Sequence, residues 1–219
     1  MKTWVGCLLS LLLLPALASA QPVMPAFDEG IDYQRVAPAQ PVETGDKIEV
    51  LELFWYGCPH CFHLEPVLEV WLKKLPKNVA FRRMPAVLGD TWLPHTRAYY
   101  TAEVLGVLDR INEPLFQAIH VDKKPLLDEA SLADFFVSQG VSREDFTRTF
   151  HSFTVESKVR RAVAMTRRYG IDGVPAMIVD GKYRTGGSLA GGQDKMMQVV
   201  DFLIGKAAEE RAAAAKSSN

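Results

Sequence analysis

Hydrophobic positions along the chain predict an α/β layer interrupted by a block of helices. Lys47 to Tyr56 is a near-continuous run of Val, Ile, Leu, Phe and Trp, the pattern of an interior strand covered on both faces. Directly after it, Phe62, Leu64, Val67, Leu68, Trp71, Leu72 and Leu75 recur at helical spacing up to Pro76. Pro59 suits the first turn of that helix, where no backbone N–H is needed. Pro66 is expected to kink it, because proline has no N–H to offer the carbonyl of Phe62. Val79 to Pro85 reads as a second strand and completes a strand, helix, strand unit.

From Trp92 to about Phe153 the pattern changes to short helices, one around His95 to Leu108, one opened by Asn112 and Pro114, one around Ser131 to Gln139 and one capped by Ser142. Trp92, Phe135, Phe136, Phe146, Phe150 and Phe153 recur there at helical spacing and read as the core of this insertion. Val155 to Tyr169 is a longer amphipathic helix stopped by Gly170. Strands return at Ala176 to Val179 and Lys182 to Arg184, joined by Asp180-Gly181, a dipeptide suited to a tight hairpin turn. A last amphipathic helix carries Met196, Val199, Val200 and Leu203, and the alanine-rich tail beyond it is expected to fray. The proline-rich stretch Gln21 to Gly45 reads as an extended arm with one short edge strand around Tyr33 to Val36. The expected organisation is an arm at 21–45, the first part of an α/β domain at 46–90, a helical insertion at 91–153, the second part at 154–206 and a frayed tail at 207–219.

The N-terminus changes this picture, because it predicts export from the cytoplasm. Residues 1–20 have the parts of a secretory signal: basic Lys2, an apolar run Val5 to Leu14, and the small-residue exit Ala18-Ser19-Ala20 before Gln21. Cleavage is expected after Ala20, since the apolar run is shorter than the roughly 20 residues a membrane-spanning helix needs. Cys7 would leave with the signal, so two of the three cysteines remain. The 25 Lys and Arg, of which Lys2 is lost with the signal, nearly balance the 26 Asp and Glu. That balance offers no electrostatic footprint for nucleic acid or an anionic membrane. A bridge between Cys58 and Cys61 would close too short a loop to restrain the unfolded chain much, so these cysteines point to chemistry.

Two cysteines at this spacing also occur in zinc sites and haem attachment, and the surroundings decide among the readings. Haem attachment needs a histidine directly after the second cysteine, where this chain has Phe62. Structural zinc needs four ligands, and only His60 and His63 lie close by in sequence. Cys58 and Cys61 instead follow a strand and open a helix, where backbone amides and the helix dipole favour a thiolate.

Cys58-Pro59-His60-Cys61, preceded by Phe54-Trp55-Tyr56-Gly57 and matched far downstream by Gly173-Val174-Pro175-Ala176, resembles the DsbA family of periplasmic thiol:disulfide interchange proteins. The resemblance covers nearly the whole chain after the signal. It implies an α/β, thioredoxin-like fold with an inserted helical domain, and a protein disulfide oxidoreductase that needs no cofactor and no metal. Cys58 would be the nucleophile, Cys61 the resolving thiol, and the two would form the redox disulfide. His60 is the residue expected to tune Cys58 beside the helix terminus, because a protonated or hydrogen-bonding imidazole favours a charged sulfur. Pro59 would shape the turn. Glu52, an ionisable residue in an otherwise apolar strand, is either a proton acceptor for Cys61 or a carboxylate paired with Arg82 or Arg83. Val174 and Pro175 would form a cis-proline loop that receives an extended substrate by strand addition. The implied partners are reduced secreted proteins and a DsbB-like membrane quinone reductase, with the chain acting as a monomer in the periplasm. An isomerase or reductase is the rival within the same chemistry, and a metal-binding or chaperone-like module the rival outside it. His63, His95, His120 and His151 have no partner legible in the sequence and read as surface or helix residues.

Overall fold

A computed structural model of the chain describes residues 27–217; the expected signal at 1–20 with Cys7, and residues 21–26 of the arm, lie outside the described residues. A five-stranded sheet has the order β1-β5-β4-β2-β3. Strand β2 (Ile48–Phe54) runs parallel to β3 (Val79–Pro85) on one side and antiparallel to β4 (Ala176–Val179) on the other. Strand β5 (Tyr183–Gly186) and the short β1 (Gln34–Arg35) extend the sheet beyond β4. All of β2 is buried, as its near-continuous apolar run predicts, and the burial takes Glu49 and Glu52 with it.

Because side chains alternate across a strand, β2 feeds two cores. Ile48 and Val50 pack with Leu64 and Leu68 of α1 (Pro59–Leu72) and with Val199 and Leu203 of α8 (Gln193–Ser217). Leu51 and Leu53 face the other way, toward the inserted helices. The insertion follows a 3-10 turn at Asp90–Trp92 and comprises α2 (Leu93–Val104), α3 (Leu108–His120), α4 (Glu129–Ser138) and α5 (Arg143–Phe150). Helix α6 (Phe153–Tyr169) leads back to the sheet, and a short α7 (Gly187–Ala190) precedes α8. Among the described residues no helix is long and apolar enough to cross a membrane.

Local signals hold where they are strong. Ser142 caps α5 through Asp145, and Gly170 ends α6 in the left-handed conformation (φ 63°). Asp180 and Gly181 both have positive φ (54° and 65°), as the tight turn between β4 and β5 demands.

Several boundaries differ from the sequence reading. Helix α2 begins at Leu93, with Pro94 in its first turn, and stops at Val104 before Gly106 takes a left-handed turn. Helix α3 starts at Leu108 and runs through Pro114, because its buried face of Ile111, Asn112, Leu115 and Phe116 holds it to the core despite the hydrogen bond that proline forgoes. Strand β5 is displaced to Tyr183–Gly186. The tail does not fray at 207: α8 continues to Ser217, with Ala207 buried, Glu210 accepting from Tyr183, and Arg211 bound to Asp180 and to the Asp46 carbonyl. Phe153, assigned to the insertion's core, is 84% exposed at the start of α6.

Candidate active site

After β2 ends, Trp55-Tyr56-Gly57 makes a turn closed by the Cys58 amide donating to the Trp55 carbonyl at 3.0 Å. Gly57 is set by space, since a β-carbon there would overlap the Trp55 indole. Cys58 is then the N-cap of α1, with extended backbone (φ −89°, ψ 116°) and Pro59 directly inside the helix. It is half-buried, whereas Cys61, one turn further on, is fully buried. Both are free thiols in this structure, so the expected Cys58–Cys61 pair is seen in its dithiol form. Opposite them lies the loop before β4, where Val174–Pro175 is a cis peptide and the Cys58 thiol donates to the Val174 carbonyl at 3.4 Å. The structure thus brings together Cys58, Cys61, Pro59, Val174 and Pro175.

The two sulfurs are held apart electrically. The Cys58 thiol is lowered to about 6, first by a hydrogen bond from Cys61, then against the cost of its own burial by the backbone amides of Cys61 and His60, and last by the charge of His60. His60 is exposed, and its carbonyl accepts from the Gln193 side chain. Its imidazole, expected to lead in tuning Cys58, contributes here through its charge, after the hydrogen bonds from Cys61 and the helix terminus. Burial pushes the Cys61 thiol far up, reinforced by the hydrogen bond to Cys58 and by the charges of Cys58 and Glu52.

Residues 49–203 match the family described as DSBA-like thioredoxin domain. The chain belongs to that family. It is 44% identical over 196 residues to the thiol:disulfide interchange protein DsbA of Pseudomonas syringae pv. tomato, covering 90% of each chain. It is 40% identical to DsbA of Burkholderia cepacia, covering 90% of this chain and 92% of the relative. The crystal structure of Pseudomonas aeruginosa DsbA superposes with a TM-score of 0.79 at 40% identity, over 86% of this chain and 96% of that one. The Xylella fastidiosa oxidoreductase DsbA superposes at 0.76 with 33% identity, over 86% of this chain and 99% of that one. The fold is therefore thioredoxin-like with a helical insertion.

Below the cysteines, this DSBA-like chain buries an ionic network. The parallel register of β2 and β3 sets Glu52 beside Arg83, so Arg83, not Arg82, is its partner, with Nε donating to Oε2 at 2.9 Å. Arg82 points to the opposite face, to Glu43 and Glu49. The other Glu52 oxygen has no hydrogen-bond partner among the described residues, and burial raises this carboxyl's pKa against the pull of Arg83. Arg83 also donates to both oxygens of Glu65 at 2.9 and 3.0 Å, and burial lifts Glu65 to about 7. Asn112 donates to Glu65 at 3.4 Å and accepts from the buried Tyr56 hydroxyl at 2.9 Å. Sequence reading missed Glu65, whose one available signal was its place four residues after Cys61 on the same helix face.

The insertion closes the site from the side. Trp92 stacks on Trp55 with ring centres 4.4 Å apart. Of the histidines left without partners, His95 is 1% exposed and bonds through Nε2 to the Pro125 carbonyl at 3.2 Å. His120 meets the Tyr56 carbonyl, and His151 pairs with Glu129 at 2.9 Å. An open groove of about 800 Å³ runs from His60 along Val174 and Pro175 to Gly187 and Gln193. Among the described residues no group of His, Cys, Asp and Glu is placed to hold a metal.

Proposed function

We propose that this chain is a periplasmic dithiol oxidase that introduces disulfides into reduced secreted proteins through Cys58 and Cys61. The observation that carries the reading is the unequal pair at the start of α1: a half-buried thiol lowered to about 6 in front of a buried thiol whose pKa is raised. When the pair is oxidised, a substrate thiolate attacks Cys58 Sγ and the Cys58–Cys61 bond breaks. The Cys61 sulfur leaves and takes a proton, because its site disfavours the anion. The second substrate thiolate attacks the substrate sulfur of the mixed disulfide and expels Cys58 as a stable thiolate. Two electrons pass from substrate to protein, and the substrate departs as a disulfide.

Several neighbours support this cycle. The groove beside Val174 has room for an extended client segment, whose backbone pairs with Val174 as a strand pairs with a sheet edge. Glu52, with one oxygen free of hydrogen bonds and set near Cys61, serves as the proton acceptor when Cys61 must react, and its bond to Arg83 holds it in place. Pro59 and His60 shape and tune the turn. Reoxidation by a DsbB-like membrane quinone reductase returns the pair to the disulfide, and the leader at 1–20 delivers the chain to the compartment where that partner works.

The test is a pair of variants in reduced and oxidised client assays. Cys61→Ser is expected to accumulate mixed disulfides with clients through Cys58, and Cys58→Ser to lose oxidase activity entirely. Faster alkylation of Cys61 than of Cys58 in the reduced protein would reverse the two roles. A glutathione equilibrium as reducing as that of ordinary structural disulfides would favour a reductase instead.

A further inference from the structure

We infer that His120, the last residue of α3, is a positioning residue for Cys58, through which the helical insertion sets the chemistry of the α/β half. The inference rests on Cys58 being the reactive thiol. His120 holds the active-site turn at both ends. Its Nε2 lies 2.7 Å from the carbonyl oxygen of Tyr56, two residues before Cys58. A carbonyl only accepts, so Nε2 carries a hydrogen and donates it. Its ring lies flat on that of Phe62, one residue after Cys61, with centres 5.0 Å apart and planes 14° from parallel.

The Tyr56 carbonyl belongs to the peptide unit joining Tyr56 to Gly57, inside the turn that the Cys58 amide closes on Trp55. Glycine leaves that peptide free to rotate, so an external donor is what fixes its plane and, one residue on, the direction of Cys58. The downstream grip acts on the same turn, because the Phe62 amide donates to the Cys58 carbonyl at 3.1 Å. The holder is itself held: Lys123 donates to the His120 carbonyl at 2.6 Å, and Phe116 lies along the ring at 6.1 Å. The features that lower the Cys58 thiol are directional hydrogen bonds from Cys61 and from two backbone amides, and such bonds weaken steeply as the donor swings off line. A turn freed at Tyr56 therefore loses thiolate stabilisation without losing any group that touches the sulfur.

Three variants separate this role from packing. His120→Ala removes both grips, His120→Phe keeps a ring against Phe62 but has no donor, and His120→Gln keeps a donor without the ring. The readouts are the Cys58 thiolate titration by absorbance near 240 nm and the equilibrium with glutathione, neither of which needs a client or a reoxidation partner. His120→Ala and His120→Phe are expected to raise the Cys58 pKa and shift the equilibrium at least threefold toward the protein disulfide, about 14 mV for a two-electron couple. His120→Gln should stay within threefold of the parent. Thermal melts of His120→Phe, which conserves volume, guard against misfolding. The inference is overturned if Ala and Phe both stay within threefold, or if Phe matches the parent while Gln does not. The parent titrated alongside reports separately on Cys58 as the reactive thiol.

Discussion

At the scale of single residues, the proposed reactivity of Cys58 comes from what surrounds one sulfur atom. With its thiol lowered to about 6 from the ordinary 9.0, the thiolate is far more accessible near pH 7 than in a free cysteine. The order of causes makes a comparison that a histidine-centred account would not. Cys61→Ala removes the leading hydrogen bond and is expected to raise the Cys58 pKa by more than about one unit, whereas His60→Ala should raise it by less. Cys61→Ser keeps an O–H donor and should stay near the parent. Thiolate absorbance against pH ranks the three directly. A larger rise in His60→Ala than in Cys61→Ala would return the leading role to the imidazole.

At the scale of elements, α2 packs a histidine where water cannot reach it, and this is expected to make the insertion sensitive to acid. Burial lowers His95 to about 4, opposed by hydrogen bonds to the backbone of Pro125 and Leu126 and assisted by the charge of His120. In the unfolded chain the same group titrates near 6.5. Between those values the unfolded state takes a proton that the folded state refuses, so stability is present above pH 6.5 and is lost as pH falls toward 4. The loss is of order 3 kcal/mol at most. Glu65 acts with the opposite sign: burial holds it at about 7, so its contribution is present at low pH and lost as pH rises through 7. The readout is therefore the difference between parent and His95→Leu in urea melts from pH 6.5 to 4. The variant should show the flatter profile, and parallel profiles would mean that His95 is protonated in the fold.

At the scale of the whole molecule, the redox state and the stability of the fold are linked through Cys58. Its folded pKa of about 6 lies below the ordinary 9.0, so the thiolate adds stability that is complete above pH 9 and is lost as pH falls through 6. The oxidised protein has no such thiol to titrate. The stability of the reduced form relative to the oxidised form is expected to grow by about 1 kcal/mol between pH 5 and pH 7, allowing for solvent screening at a half-buried group. Denaturant melts of both forms at the two pH values measure it, and a constant gap would contradict a lowered Cys58. How much of this was legible beforehand follows the range of the forces involved. The apolar run behind Ile48–Phe54, the strand at Val79–Pro85, Pro59 opening α1, the Ser142 cap, Gly170 and the Asp180-Gly181 turn were readable, because each is decided by residues within a few positions of one another. The choice of Arg83 over Arg82 for Glu52 was not, since it depends on the register of two strands joined through a helix. Nor was the passage of α3 through Pro114, where burial against distant elements outweighs local propensity. The extension of α8 to Ser217 depends on Asp180, Tyr183 and Asp46, all far upstream in the chain. The sequence by itself determined which two cysteines stand together at a helix start and the helix they open, through spacing and turn chemistry. Only the tertiary structure decided what the cysteines feel, because the Val174 carbonyl, Glu52 and His120 reach the motif and its turn across the fold, and a through-space contact leaves no periodicity in the chain.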